Sequence, residues 1–255
     1  MPTPTFRPFP SATPWLVVLL TALFLVAATV PYSWLIAHFG YDDILREPTP
    51  VILRSFQAGG APLVWAWFAF ALSGLLFIPL AFAVDRLTAD PASPVPGASP
   101  LAIASAVAQV IGLMRWVLVV PGLASAYAAP EATPATQAAV VVVFDAVHHY
   151  GGMVIGEFIG QLLLAGWTAL AGWRLLRSRR VPAWVAWIGP LTLPLWLLGQ
   201  SELLHQVLPA TPLFETVPLA FMAWEAWLLL LAAALLVRGV REWRSARVAP
   251  TACAS

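Results

Sequence analysis

Charge is what this sequence has least of. Only 10% of its 255 residues are Asp, Glu, Lys or Arg, while 60% are hydrophobic. A soluble domain carries about 25% charged residues. A water-soluble fold of this size would lack the polar side chains to cover itself, so composition alone assigns the chain to a bilayer. The formal net charge is +1, which gives no field to attract nucleic acid. Lysine is absent, and the thirteen basic residues are all arginine. With the excess of Ala, Pro and Leu, this points to a GC-rich bacterial genome and hence to the cytoplasmic (inner) membrane. The one cysteine, Cys253, excludes an intrachain disulfide and any CxxC redox or zinc motif. No HExxH, CxxCH or dense His cluster is present, and no GxSxG, P-loop, GxGxxG or DDxxD motif. The expectation is therefore no metal and no cofactor, with no specific support for a hydrolase, nucleotide-binding or prenyl-transfer activity. No internal repeat marks an inverted-repeat transporter.

What is present is a set of long apolar runs, which predicts an all-α polytopic membrane bundle. A span needs about 20 apolar residues. Six runs qualify, at about residues 15–36, 62–84, 101–125, 147–173, 184–204 and 217–237. Residues 1–14 read as a disordered N-terminus, residues 15–238 as a single transmembrane domain, and residues 239–255 as a basic, then disordered tail. The first run reads as a retained helix in preference to a cleaved signal peptide, because it continues past the cleavage-like Leu25–Ala28 to Trp34. Residues 38–60 form a polar loop, in which residues 51–57 read either as a surface amphipathic helix or as ordinary loop. Residues 85–100, with four prolines, read as a flexible linker. Residues 137–173 are too long for one span at ~1.5 Å per residue, so the fourth helix is expected to begin outside the bilayer.

Arginine placement orients the bundle. With a cytoplasmic N-terminus and six spans, Arg7, Arg86, Arg174, Arg177, Arg179, Arg180, Arg238, Arg241, Arg244 and Arg247 fall inside, and only Arg46 and Arg54 fall outside. That is the positive-inside pattern, with both termini cytoplasmic.

With orientation fixed, depth follows from helical rise. Arg115 lies about 21 Å above the inner boundary, Glu225 about 20 Å and Glu157 about 25 Å. Gln200 and Glu202 lie near the outer end of the fifth run, with His149 and His205 just above. Polar groups thus converge in the outer half of a core about 30 Å thick, while the inner half has almost none. A charge at that depth costs about 2.5–3.5 kcal/mol on insertion scales, so Arg115 is expected to pair with Glu157, Glu202 or Glu225, or to face a water-filled cavity. The cluster reads either as a functional cavity or as ion pairs that fix helix register.

One stretch, FDAVHHYGGMVIGEFIGQLLLAGWTALAGWRLLRSRR from Phe144 to Arg180, carries much of this pattern. Gly152, Gly156 and Gly160 share a face, which lets another helix approach closely. Glu157 and Gln161 interrupt its apolar run. Asp145 and His149 are four apart and share a face, so the carboxylate is placed to orient the imidazole. Glu202 and His205 offer a second such pair. These histidines read as a metal or haem site, as an acid/base or ligand-pocket group, or as residues that solvate a helix end; the last needs the least. The thirteen tryptophans are expected mostly in interfacial belts or facing lipid, with Trp224 and Trp227 either walling an apolar pocket beside Glu225 or forming a plain helix interface.

The run from Phe144 to Leu176, the following VPAWVAWIG and the earlier MRWVLVVPGL around Arg115 resemble a family of uncharacterised bacterial multi-pass membrane proteins known as a domain of unknown function. The resemblance covers roughly Trp15 to Arg238. It implies a helical bundle and assigns no catalytic residue. Three functions are therefore weighed. The first is an outer-half polar cavity that binds a small amphiphile or cation, in a sensor, carrier or accessory subunit. The second is a membrane-embedded enzyme acting on a lipid-like substrate, with Glu157, Glu225 or His149 as acid/base. The third is a structural subunit of a membrane complex, with a membrane protein or a second copy of the chain as partner.

Overall fold

The structure is a computed structural model that describes residues 13–90 and 96–248. The expected disordered N-terminus, apart from Thr13 and Pro14, and the end of the tail with Cys253 lie outside the described residues. Among the described residues every element is helical, and no strand is present.

Helix α1 (Thr13–Phe39) is apolar throughout and rises about 40 Å. Helix α2 (Thr49–Leu87) holds two pieces that sequence separates. Its first eleven residues form a short arm that includes residues 51–57, and Gly60 breaks the helix at φ 56°. That left-handed conformation suits glycine, and Pro62 follows at once. The rest of α2 is the second span. Helix α3 (Ser99–Leu118) stops just before Pro121, and α4 (Val120–Ala128) follows after Val119, whose N–H still bonds the Arg115 carbonyl at 3.0 Å. Proline lacks the N–H that would continue the ladder, which accounts for the interruption. Helix α5 (Pro134–Val147) begins with Thr133 accepting a bond from the Thr136 N–H at 3.1 Å. It runs into a π-helical segment (His148–Ile159) and then into α6 (Gly160–Ser178). Residues 134–178 thus form one continuous rod, longer than a span.

Five helical stretches are long and apolar enough to cross a membrane: residues 13–39, 49–87, 99–128, 134–178 and 217–245. The chain is therefore a multi-pass helical membrane protein by its architecture. The expected fifth span, residues 184–204, is instead broken into two short helices. It consists of α7 (Ala183–Leu191) and α8 (Leu193–Val207), which meet at Thr192 between Pro190 and Pro194. The final helix, α9 (Val217–Val248), outruns the expected 217–237 and turns the start of the basic tail into helix.

Helix α1 packs on α2 and α9, α3 packs on α2, the π segment and α6, and α7 lies between α6 and α9. Side chains gather into two separate cores. A basal core, at the Thr13 end, includes Phe24, Phe77, Trp167, Trp196, Trp224 and Trp227. A distal core, at the Phe39 end, includes Leu35, Phe56, Trp67, Trp116 and Phe144, with the α2 arm folded over it through Ile52 and Leu53. Six of the thirteen tryptophans are fully buried here, while Trp15, Trp65, Trp173, Trp184, Trp187 and Trp243 are exposed, so the outward-facing set expected from sequence is about half of the total. Trp224 donates to Thr168 Oγ1 at 2.9 Å and Trp227 to the Val185 carbonyl at 2.9 Å. Both indoles hold helices together instead of walling a pocket beside Glu225.

The basal end is also more polar than expected. Asp85 accepts from the Ala98 N–H at 2.9 Å and the Ser99 N–H at 2.8 Å, so a side chain from α2 caps the start of α3. Arg174 of α6, 9% exposed, lies 3.5 Å from the same carboxylate and donates to Thr88 Oγ1 and the Pro96 carbonyl. Three helices meet on one carboxylate–guanidinium pair. The described ends of the 85–100 linker are therefore tied down by hydrogen bonds, while residues 91–95 lie outside the described residues. Arg238 of α9 donates to the Arg180 carbonyl at 2.7 Å, beyond the end of α6. Asp85→Ala is expected to uncap α3 and remove the carboxylate beside Arg174, at a cost of about 3–5 kcal/mol. Thermal unfolding in detergent micelles would show it, and Asp85→Asn, which retains one acceptor, should lose less.

Candidate functional site

The polar groups sit where the two cores part. The basal core ends at Leu25 on α1 and Ala106 on α3 and resumes at Leu164 on α6, while the distal core begins at Trp34 and Leu113 and ends at Phe144. Between them lie Tyr32, Gln109, Glu157 and Gln161. The close approach of α3 to the π segment builds this layer. A Cβ on Gly112 would fall 2.7 Å from the Gly156 Cα, and one on Gly160 would fall 2.7 Å from Gln109 Cγ. The glycine face is thus turned inward onto α3, and the exposed side of the segment carries Tyr150, Val154 and Phe158 instead. A π turn closes i→i+5 hydrogen bonds, and His148, Gly152, Gly156 and Gly160 are all buried at four-residue spacing.

Arg115 is 6% exposed, and its guanidinium lies over Gly152, where any Cβ would collide with it. It donates to the Gly112 carbonyl, lies 3.5 Å from His148 Nδ1, and sits 5.2 Å from the Trp116 ring centre. Its Nε–H has no acceptor. Among the described residues no carboxylate is within ion-pair distance of it, and Glu157 acts on it only through space. The expected pairing with Glu157, Glu202 or Glu225 is therefore not made. The cause is geometric. Helical side chains point back toward the N-terminus of their helix, and the bare backbone that receives this one is at Gly152, more than a turn from Glu157.

The other candidates divide. Glu157 is half-buried and makes no hydrogen bond or ion pair; Arg115, Glu202 and Asp42 are the charges that surround it. Glu202 pairs with Arg46 of the first loop at 3.0 Å, and Arg46 also reaches Glu215 at 3.7 Å. Gln200, on α8, donates to Gln161 Oε1 at 2.9 Å, yet its own buried Oε1 has no partner. These four elements do converge. Glu225 is half-buried on α9 and close enough to act on Tyr32. Asp145 and His149 face elsewhere. The Asp145 carboxylate takes the Thr49 hydroxyl at 2.5 Å, and the exposed His149 instead bonds the Asp145 main-chain carbonyl at 2.6 Å. His205 bonds the Thr211 carbonyl at 2.8 Å, which folds the following loop back on α8. Among the described residues no three His, Cys, Asp or Glu side chains gather as a metal site.

Sequence reasoning missed His148, Tyr32, Tyr41, Asp42 and Arg46. His148 was legible, because it shares the four-residue spacing of the glycines. The loop residues were not, since nothing local reveals that residues 40–46 fold over the bundle. Asp42 accepts from the Tyr32 hydroxyl at 3.0 Å. Burial pushes its carboxyl above the usual range, and the Tyr32 bond and the Arg46 charge offset part of that.

A protein-family model described as a domain of unknown function (DUF4386) matches residues 16–239, close to the extent of the resemblance read from sequence. No curated protein and no solved structure matches the chain.

Gly152→Ala is expected to drive the Arg115 guanidinium off its seat. Overpacking of this kind costs about 1–3 kcal/mol. Thermal unfolding in micelles should show the loss, and Arg115→Met on the Gly152→Ala background should recover part of it.

Proposed function

The chain belongs to the DUF4386 family, whose function is not established, and within it we propose a protein of the bacterial inner membrane, both termini cytoplasmic, that binds a small cation or cationic amphiphile in a polar crevice at its outer half. The arginine distribution supports the orientation, since the ends of α2, α6 and α9 that carry most of them share the basal side. The observation that carries the binding reading is Glu157. A carboxylate at membrane depth is costly unless it is paired or hydrated, yet this one is half-buried and makes no hydrogen bond or ion pair.

Its surroundings favour positive charge. Asp42, Glu157, Glu202 and Glu225 lie on this side of the polar layer against Arg46 and Arg115, and Arg46 is already engaged with Glu202. Tyr32 and Tyr41 pack edge to face at 5.7 Å and add aromatic faces; a cation over such a face gains about 0.5–1 kcal/mol or more. An alkyl chain would extend from the crevice along the exposed apolar surface of α8, where Leu197 and Leu204 point outward. The fit is to a carrier, sensor or accessory subunit, with binding as the shared step.

Native mass spectrometry of the protein in neutral detergent tests this with three C12 amphiphiles: the trimethylammonium, the sulfate and the uncharged alcohol. The trimethylammonium should bind preferentially, and Glu157→Gln should weaken it at least about tenfold, which is ~1.4 kcal/mol. Equal binding of the three, or indifference to Glu157→Gln, would overturn the reading.

A further inference from the structure

We propose that α8 and the loop after it form a hinged lid over this crevice, and that Arg46 is the tethered cation that holds it shut and that an incoming cation must displace. The inference rests on the binding reading for the identity of the displacing ligand, but the lid itself stands on geometry.

The hinges come first. The fifth span is interrupted at Thr192, flanked by Pro190 and Pro194. A proline removes a ladder hydrogen bond and clashes with the preceding turn, so two of them around one residue make a joint. The Thr192 hydroxyl bonds the Gly189 carbonyl at 2.7 Å, which satisfies the broken end of α7 without help from α8. On the basal side of the joint, α7 is fixed: Gly189 sits against the Trp227 ring and Gly172 against Pro190. The far end of the lid is a second joint at Thr216, where the chain turns into α9 ahead of Pro218. Between the joints the unit is tied to itself. Ser201 Oγ accepts from the Phe214 N–H at 3.0 Å, His205 bonds the Thr211 carbonyl, and the Thr216 hydroxyl bonds the Leu195 carbonyl at 2.8 Å. Helix α8 and its loop are built to move as one piece.

The closures lie mostly beside the hinge, where Trp196 is fully buried in the basal core and packs on Phe221 at 4.5 Å, Leu193 and Leu195 pack against that core, and Gly199 lies against Val217 of α9. Further out the lid is held by the Gln200–Gln161 amide pair and by Arg46, which reaches Glu202 midway along the lid at 3.0 Å and Glu215 beside the Thr216 joint at 3.7 Å. Leu197, Leu198, Leu204, Val207 and Leu208 all face outward, so beyond Gly199 little apolar surface binds the lid to the bundle. The closed form also leaves the buried Gln200 Oε1 without a donor, which works against closure. Arg46 bridges carboxylates that lie at the crevice mouth, with Glu157 behind them. A cation arriving at Glu202 would compete with the guanidinium for the same oxygens, and success would release the guanidinium from both carboxylates of the lid. That makes Arg46 the residue that sets which cations gain entry.

The test does not need the ligand. In a Cys253→Ser background, Gln200→Cys leaves one thiol, on the buried face of the lid, and all Arg46 variants are compared in this background, where the Gln200–Gln161 pair is already absent. The thiol's rate of modification by a charged, membrane-impermeant methanethiosulfonate is measured in nanodiscs, where both faces are open to the reagent. Thr168→Cys, in the basal core, reports general loosening. Arg46→Ala should raise the Gln200→Cys rate about fivefold, the upper range for an exposed ion pair, Arg46→Lys should stay near the parent, and Thr168→Cys should remain unreactive throughout. An unchanged rate in Arg46→Ala, or a parallel rise at Thr168→Cys, would overturn the lid. Binding of the trimethylammonium amphiphile to the same Arg46→Ala protein, with Gln200 intact, then separates the two ideas. Tighter binding supports Arg46 as the competitor. A faster thiol with unchanged binding keeps the lid and overturns Arg46 as the competitor, while loss of Glu157 dependence overturns the cation reading alone.

Discussion

Two backbones in contact govern this bundle. Gly112 on α3 and Gly156 on the π segment meet with no side chain between them, and the approach fixes the depth of everything nearby. It gives the Arg115 guanidinium a bare surface at Gly152, sets Gln109 against Gly160, and lets Ser105 donate to the Gly160 carbonyl at 2.7 Å. In lipid there is little hydrophobic drive to bring helices together, so close packing and buried hydrogen bonds must supply it. Here both are concentrated along one seam.

Around that seam the molecule is layered along its axis. The aromatic distal core, with Trp67 and Trp116 stacked at 4.9 Å, is roofed by the α2 arm. The basal core is fastened at its end by Asp85 and Arg174. The polar layer between has no such fastening. Arg115 lacks an acceptor at Nε, Gln200 lacks a donor at Oε1, and Glu157 lacks any partner. Unsatisfied groups cost stability wherever they are buried; the two cores carry them as well, at the indole N–H groups of Trp67, Trp116, Trp167 and Trp196, but in the polar layer they are charged and amide groups.

Much of this was legible in the chain. The apolar runs found the membrane helices because backbone in lipid must be helical over a fixed length. The glycine spacing correctly announced a close helix approach, and the depth argument brought Arg115, Glu157, Gln200 and Glu202 to one level. Partners were less legible. Arg115 was expected to seek a carboxylate, but helix rotation turned it to glycine and His148, and rotation is not written in hydropathy. Glu202 found Arg46, 156 residues away in sequence, across a loop whose path no local pattern encodes. The buried tryptophans misled for a related reason: an indole reads the same in a belt or a core, and only the tertiary acceptors of Trp224 and Trp227 settle which.

The Asp85–Arg174 clamp and the layer around Glu157 share no residue: the clamp sits at the start of α3, and Glu157 lies beside Gly156, which meets Gly112 more than three turns further on. Changes at sites that far apart, with no common neighbours, add independently. Side chains of the polar layer can therefore change while the bundle keeps its anchorage. On the binding reading proposed above, selectivity would then be free to drift without cost to the scaffold.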